Sequence, residues 1–334
     1  MVKIISVEEA LKKPGIFVDT RTPLEFEEDN LPGAVNIPVL SNEERAIVGT
    51  QYLKESHDSG IQTGMNYFHK NLPAILFAAQ QYKDKTLFVY CWRGGLRSKI
   101  VAEALEHIGF TVYQVEGGYK SYRAYVQQEL QQYHLKAKLI VLYGLTGCGK
   151  TALLHAFPNS IDLEDCAGHR GSVYGAIGLQ QHTQKRFENL LWQKVEQLRN
   201  EKYILVEGES KRIGNCYIPD FFWRAMNNAI ALKIECSVQN RISTMLNTYF
   251  NTPDKKQEMC AITKKLTQNI PDKKQIIACF EKKEYAQGTE LLLTKYYDPL
   301  YNRFLDTLQY TAVINNDIPE KAVEELKKFI HQYS

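Results

Sequence analysis

Two short stretches of this sequence gather groups suited to chemistry on anions. The first is CWRGGLRS, residues 91–98. A cysteine attacks as its thiolate, and nearby cations and converging backbone N–H groups stabilise that charge. Gly94 and Gly95 let the chain curl tightly behind Cys91, Arg93 and Arg97 offer grips for an anion, and Ser98 closes the loop. A buried structural cysteine at a strand end is the plain alternative, and the loop around Cys91 counts against it. The second stretch is GLTGCGKT, residues 144–151, which matches the phosphate-binding pattern G-x-x-x-x-G-K-[ST]. Gly144, Gly147 and Gly149 allow backbone N–H groups from Leu145 to Thr151 to wrap phosphate oxygens. Lys150 is placed to meet the terminal phosphate, and Thr151 is a candidate magnesium ligand. Cys148, inside the loop, reads as a small filler.

The second loop identifies a polyphosphate site, not ATP. A nucleotide hydrolase usually ends an apolar strand with an Asp. The nearest equivalent is ILVEGES (204–210), whose Glu207 and Glu209 could position magnesium or act as a base, with Lys211 and Arg212 following at once. Between the two lies LEDCAGHRGSVYG (163–175), where Gly168, Gly171 and Gly175 loosen the backbone and His169 and Arg170 supply donors.

Both loops need a strand before them and a helix after them. Apolar runs at 16–20, 87–91 and 111–115 read as strands, with helices around 43–56, 60–81 (broken at Pro73) and 97–108. After a polar connector at 127–138, a second series begins with the near-continuous apolar run KLIVLYG, as expected of a buried parallel strand. Further strands are expected at 160–164, 203–209, 229–235 and 311–315. The expected fold is α/β: one domain over 1–132, then a parallel-sheet P-loop domain over 137–334. PDKKQ occurs at Pro253 and again at Pro271, which predicts a helical hairpin at about 253–288 with Pro in each first turn. Its lysines form either a solvated charged face or a basic surface for an RNA backbone.

Composition fits an ordinary globular protein, at 44% hydrophobic and 24% charged with a net charge of +3. Seven cysteines without a CxxC pair argue against a disulfide framework or a zinc site. The N-terminus lacks a signal-peptide pattern and no run is long enough to span a membrane, so no membrane partner and a cytoplasmic location are expected.

The residues upstream of Cys91 resemble the rhodanese family. Asp19-Thr-Arg21, Glu25-Phe26 and LPGAVNIP (31–38) match its pattern, with Asn30 where that pattern usually has His. The resemblance implies a rhodanese-like α/β domain that handles sulfur or selenium on Cys91. The Cys-x5-Arg spacing is one residue longer than the common sulfur-carrying loop and equals that of related phosphatases. It suggests room for a phosphate-bearing donor.

Taken together, VLSNEERAIVGTQY (39–52), CWRGGLRS, VEGGYKSYR (115–123), GLTGCGKT, LEDCAGHRGSVYG and VEGESKRIG (206–214) resemble the tRNA 2-selenouridine synthase family over nearly the whole chain. Tyr174 stands where Phe is expected. That resemblance implies a transferase that exchanges the C2 sulfur of wobble 2-thiouridine in tRNA for selenium from selenophosphate, through S-geranylation by geranyl diphosphate. It implies no tightly bound cofactor, tRNA as partner, and a selenophosphate-supplying enzyme as a candidate partner. Whether Cys91 carries selenium covalently or assists a direct transfer stays open. The competing readings are an ATP-dependent tRNA sulfurtransferase with a Cys91 persulfide, a phosphatase, for which the loop lacks a general-acid Asp, and a regulatory P-loop module.

Overall fold

The computed structural model describes residues 2–266 and 270–333. The chain divides into two compact units, Met1–Gln132 and Tyr133–Ser334.

The first unit carries five parallel strands: β1 (Lys3–Ile5), β2 (Ile16–Asp19), β3 (Val35–Asn36), β4 (Thr86–Tyr90) and β5 (Thr111–Val115). Their order is β1-β5-β4-β2-β3. Helices α1 (Val7–Leu11), α2 (Pro23–Glu28), α3 (Asn42–Lys54), α4 (His57–Ala79) and α5 (Leu96–His107) lie between them, and α6 (Gly118–Gln132) follows β5. Central β4 is TLFVY, buried from Leu87 to Tyr90, because helices cover both faces of the sheet. It ends one residue before Cys91, so the cysteine opens the loop at the carboxyl edge of the sheet.

Pro73 does not break its helix. α4 runs through it from His57 to Ala79. The carbonyl that Pro73 leaves without a donor belongs to His69, and both residues are exposed, so water can satisfy it. Phe68, Ile75 and Ala79 bury the opposite face on both sides of the proline and hold the helix together.

The second unit has a parallel sheet of β6 (Lys138–Tyr143), β7 (Ser160–Ile161), β8 (Tyr203–Glu207), β11 (Ile230–Glu235) and β12 (Ala312–Asn315), in the order β12-β11-β6-β8-β7. Strands β9 (Arg212–Ile213) and β10 (Cys216–Tyr217) form a separate antiparallel pair. Helices α7 (Lys150–His155), α8 (Leu163–Ala167), α9 (Gln184–Gln197) and α10 (Asp220–Asn227) lie between β6 and β11. The strand expected over 160–164 stops at Ile161. Asp162 instead accepts the Asp165 amide and caps α8, which turns Glu164 toward the phosphate loop.

Everything described between β11 and β12 is helical or short connection: α11 (Val238–Tyr249), α12 (Pro253–Lys265), α13 (Lys273–Glu281), α14 (Tyr285–Leu291), a π-helical turn (Leu292–Tyr297) and α15 (Asp298–Leu305). α16 (Pro319–Tyr333) follows β12. The π turn ends just before Pro299, whose missing N–H and ring would disturb a regular helix there. The predicted hairpin corresponds to α12 and α13, part of this larger insertion, and residues 267–269 of it lie outside the described residues. Pro253 does open α12, but α13 starts at Lys273 behind a left-handed Asp272, so Pro271 is outside the helix. Three of the hairpin lysines have internal partners. Lys264 pairs with Glu281 at 2.6 Å, Lys273 donates to the Lys264 and Leu266 carbonyls, and Lys255 donates to the Thr248 carbonyl.

Candidate functional site

The cysteine loop is an inward-facing cradle. Cys91 is buried, and its Sγ accepts the Gly95 amide at 3.2 Å and lies 3.3 Å from Ser98 Oγ. Gly95 is the N-cap of α5, so the positive end of that helix points at the sulfur. Gln114 on β5 donates to the Gly94 carbonyl at 2.8 Å and to Ser98 Oγ at 3.1 Å, which fixes the far wall.

A second loop locks the first. The amides of Tyr119 and Lys120 donate to the Cys91 and Trp92 carbonyls at 2.8 and 2.9 Å. That contact needs glycine. A Cβ on Gly118, where φ is +57°, would fall 2.2 Å from the Cys91 carbonyl oxygen, and one on Gly94 would fall 2.7 Å from the Val115 oxygen.

Beneath the cradle, Arg21 and Asp19 form a buried ion pair at 2.6 Å. The Arg21 guanidinium also donates to the Asp29 carbonyl at 2.7 Å and stacks 4.1 Å from the Tyr119 ring centre. Tyr119 in turn donates its hydroxyl to the Asp29 carboxylate at 2.7 Å. The Asp-x-Arg pattern therefore braces the loop from below. Arg97 has a standing partner, with its guanidinium 2.7 Å from Glu25. Burial would raise the Glu25 pKa, but the hydrogen bond and charge of Arg97 and the Thr22 amide outweigh it and hold the carboxyl below its usual range. Arg93 is exposed, while Arg97 can hold an anion only by sharing or leaving Glu25.

The phosphate loop runs from β6 into α7. Arg241, buried on α11, donates to the Thr146 carbonyl at 2.9 Å and is itself held by Asp298. Asn316 donates to the Cys148 carbonyl at 2.8 Å. Cys148 is buried as the loop's filler, and a Cβ on Gly144 would meet its sulfur at 2.7 Å. Lys150 folds back to the Gly144 carbonyl at 3.0 Å. Burial alone would lower the lysine pKa. Cys148, Glu209, Glu164 and Tyr301 more than offset that, so it is raised and Lys150 stays cationic.

The loop opens into a cavity of about 440 Å³. Its walls carry Glu164, Arg170, Glu207 and Glu209, with the aromatic faces of Tyr249 and Tyr301. The three carboxyls crowd one another. Glu207 Oε1 accepts the Leu163 and Glu164 amides at 2.7 and 3.1 Å, while the buried Oε2 has no partner. Burial, then the charges of Asp162, Glu164 and Glu209, push the Glu207 pKa well up. Burial and then Glu209 push Glu164 up to about 8, against the pull of Lys150. Burial also raises Glu209, which hydrogen-bonds Glu164.

Of the residues predicted for this second site, Gly147, Gly149, Lys150, Thr151, Arg170, Glu207 and Glu209 line the cavity. His169, Lys211 and Arg212 do not. His169 is packed against Gly175 and Gly214, and burial, with Arg170 beside it, lowers its pKa, so it is neutral. Lys211 pairs with Asp220 at 2.6 Å, and Arg212 donates to the Gly214 carbonyl at 2.8 Å. The reason is local: the chain leaves the sheet edge after Glu209 and enters the small β9–β10 hairpin.

The sequence reading missed Glu164, Tyr249 and Tyr301 in this cavity, and Glu25, Gln114 and Gly118 at the cysteine loop. Glu25, Gly118 and Glu164 lie in segments singled out for their pattern. Tyr249 and Tyr301 come from the helical insertion, and no local motif points to them.

The hard oxygen donors suit magnesium. Thr151, Glu164, Glu207 and Glu209 line the same cavity, Glu207 Oε2 is buried without a partner, and an ion bound there would displace the protons that burial favours on the carboxyls. Among the described residues no group of three or more His, Cys, Asp or Glu is arranged as a ligand set. Such a donor set fits an ion that keeps water and substrate phosphates as its other ligands. No described helix is long and apolar enough to cross a membrane.

Comparison with known proteins agrees with both halves of this description. Residues 6–125 match the Rhodanese-like domain, and residues 137–270 match the tRNA 2-selenouridine synthase AAA domain. A tRNA 2-selenouridine synthase from Shewanella woodyi is 32% identical over 331 residues, covering 89% of this chain and 89% of the relative. Another, from Sulfurovum sp., is 29% identical over 95% of this chain and 94% of its own length. One from Nitrosomonas europaea is 34% identical over 70% of this chain and 63% of its own length. With both domains in order and similarity extending over most of its length, the chain belongs to the tRNA 2-selenouridine synthase family.

Proposed function

We propose that this protein exchanges the C2 sulfur of wobble 2-thiouridine in tRNA for selenium, in two steps that use its two loops. The observation that carries the reading is the pairing of an amide-wrapped cysteine with a phosphate loop in one chain. A thiocarbonyl sulfur is a poor leaving group, and an alkylated sulfur is a good one.

In the first step the thiocarbonyl sulfur attacks C1 of geranyl diphosphate. The S–C bond forms, the C–O bond to diphosphate breaks, and N3 of the base loses its proton. Lys150 leaves the Gly144 carbonyl to meet the departing diphosphate, and the amides of Leu145 to Thr151 take its oxygens. A magnesium ion on Thr151 would neutralise part of the diphosphate charge. The faces of Tyr249 and Tyr301 stabilise the positive charge that develops on the allylic chain. Glu164, whose raised pKa of about 8 makes its ionised form a strong carboxylate base, is assigned in that form to take the N3 proton.

In the second step selenium from selenophosphate adds at C2 and geranylthiol leaves. Water takes the phosphoryl group, giving phosphate, and N3 regains a proton. Selenium keeps its lowest oxidation state, so no oxidant or reductant is consumed. The Cys91 loop, with Arg93 and Arg97, holds the selenophosphate.

Nucleoside mass spectrometry tests this directly. Purified protein is incubated with tRNA bearing wobble 2-thiouridine and geranyl diphosphate, and selenophosphate is added afterwards. The S-geranyl nucleoside is expected first and 2-selenouridine second. If neither donor changes the 2-thiouridine, the reading fails. ATP-dependent sulfur incorporation under the same conditions would replace it with a sulfurtransferase.

A further inference from the structure

The segment VLSNEERAIVGTQY stands out in the sequence, yet neither loop uses it. In the first unit it forms the end of a loop and most of α3. There it lines a cavity of about 460 Å³, together with α4 and the first turn of α5. That volume falls within the range of roughly 300–1,000 Å³ typical of small-molecule sites. The walls are apolar, with Val48 from α3, Ile61 and Met65 from α4, and Leu96 and Ile100 from α5. Leu96 immediately follows Gly95, the residue whose amide holds Cys91 Sγ. The cavity therefore adjoins the cysteine loop through the helix that the loop initiates.

The glycines show that the space is kept open. Gly49, Gly60 and Gly64 lie inside helices, where glycine is unfavourable, and none has a positive φ. Gly60 has a packing reason, since a Cβ there would press to 2.8 Å on the Tyr52 Cβ and 2.9 Å on its Cα. Gly49 and Gly64 have none. A Cβ on Gly64 would meet only Val48, at an ordinary 3.7 Å, and one on Gly49 would meet only the movable Arg45 guanidinium. Both face the cavity. At the rim, Leu53 is 85% exposed and Leu96 47%, large apolar surface with no partner in the fold. Arg45 and Arg97 also border it, so the apolar space ends in cations.

We infer that this cavity receives the acyclic ten-carbon chain on the substrate sulfur while Cys91 acts, leaving the C2 carbon at the cysteine loop. The inference rests on the two-step reading above and deepens it: the phosphate-loop cavity binds the chain as its diphosphate, and this one binds it as a thioether. Geranylthiol leaves from this cavity, and Arg97 on its border is the residue assigned above to selenophosphate.

The test compares tRNA carrying S-geranyl-2-thiouridine with tRNA carrying S-methyl-2-thiouridine, each given selenophosphate and full-length protein. The wild type is expected to favour the geranyl substrate at least tenfold in kcat/KM. Gly64→Leu fills the cavity and should erase that preference while S-methyl turnover and the geranylation step persist. Gly49→Val serves as the second variant if Gly64→Leu does not fold by circular dichroism. Direct titration with geranylthiol, followed by ligand-observed NMR, gives a readout independent of turnover. Saturable binding lost in either folded variant supports the site. Equal use of both substrates by the wild type, or geranylthiol binding unchanged in both variants, overturns it even if 2-selenouridine still forms. Absence of 2-selenouridine from either substrate counts against the two-step reading, and the titration then still decides the cavity.

Discussion

The Cys91 loop and the Lys150 loop have the same plan and opposite interiors. Each follows a central parallel strand and leads into a helix at the carboxyl edge of its sheet. The cysteine loop is closed and nearly neutral inside. Its sulfur already has an amide and a hydroxyl, Arg97 is tied to Glu25, and the glycines of the neighbouring loop leave no slack. The phosphate loop opens into a large cavity in which Lys150, Arg170 and Lys255 share the lining with three carboxyls that burial drives toward their neutral forms. A tight polar cradle suits one small anion. A wide cavity with protonated carboxyls and aromatic walls suits a charged head on a long tail. The difference teaches that the same supersecondary unit sets position, while the residues around it set the chemistry.

The sharpest way to break that division is Cys91→Ser. It should lower selenium incorporation by roughly a hundredfold, the usual cost of misplacing a bound reactant, because Cys91 Sγ anchors the loop that holds the selenophosphate. S-geranylation should be unchanged, measured on the same tRNA by mass spectrometry. Loss of both steps would show that the loops do not work separately.

Lys150→Ala is the reciprocal experiment. Geranylation should fall roughly a hundred- to thousandfold, the usual effect of removing one preorganised group from a developing anion. Selenation of tRNA that already carries the S-geranyl group should persist. The two variants together form the test, since each should spare the step the other removes.

Gly118→Ala probes the tightness of the first loop. Its Cβ cannot coexist with the Cys91 carbonyl, and its φ of +57° disfavours any side chain. A loss of about 1–3 kcal/mol is expected in denaturant unfolding of the first unit. Selenation should fall more than geranylation. An unchanged stability would mean that the two loops are not interlocked as described.

Much of this was legible in the sequence because it depends on local chain geometry. Strand, glycine-rich turn and helix must be contiguous, so Cys91 and Lys150 could be located from spacing alone. The failures have a common cause in longer-range packing. Pro73 was expected to stop a helix that buried residues on both sides of it hold together. Asp162 converted an expected strand into a capped helix and so delivered Glu164. Lys211 and Arg212 follow the site in sequence but leave it in space. Tyr249 and Tyr301 arrive from an insertion whose local pattern announces only helix. Arg97 looked like a free anion grip because its partner, Glu25, is 72 residues away.

The smallest expected effect concerns Glu164, and it discriminates between the two interiors by pH. Its carboxyl titrates at about 8 in the folded protein, above the ordinary carboxylate range. The folded state therefore binds this proton more tightly than the unfolded chain does. Its contribution to stability is fully present below the ordinary carboxylate pKa and is lost as pH rises through about 8. Ligand binding has the same sign: above that pH a new negative charge stands beside Lys150, so diphosphate should bind roughly tenfold more weakly, about one pKa unit of linkage. Glu164→Gln should remove most of that dependence, because the amide stays neutral throughout. Inorganic diphosphate titrated calorimetrically at pH 7 and pH 9, with and without the substitution, measures the effect. The substitution also corrects for the ligand's own titration, which both proteins experience equally. If the two proteins lose affinity in parallel, Glu164 is not the titrating group, and its assignment as the acceptor of the N3 proton falls with it.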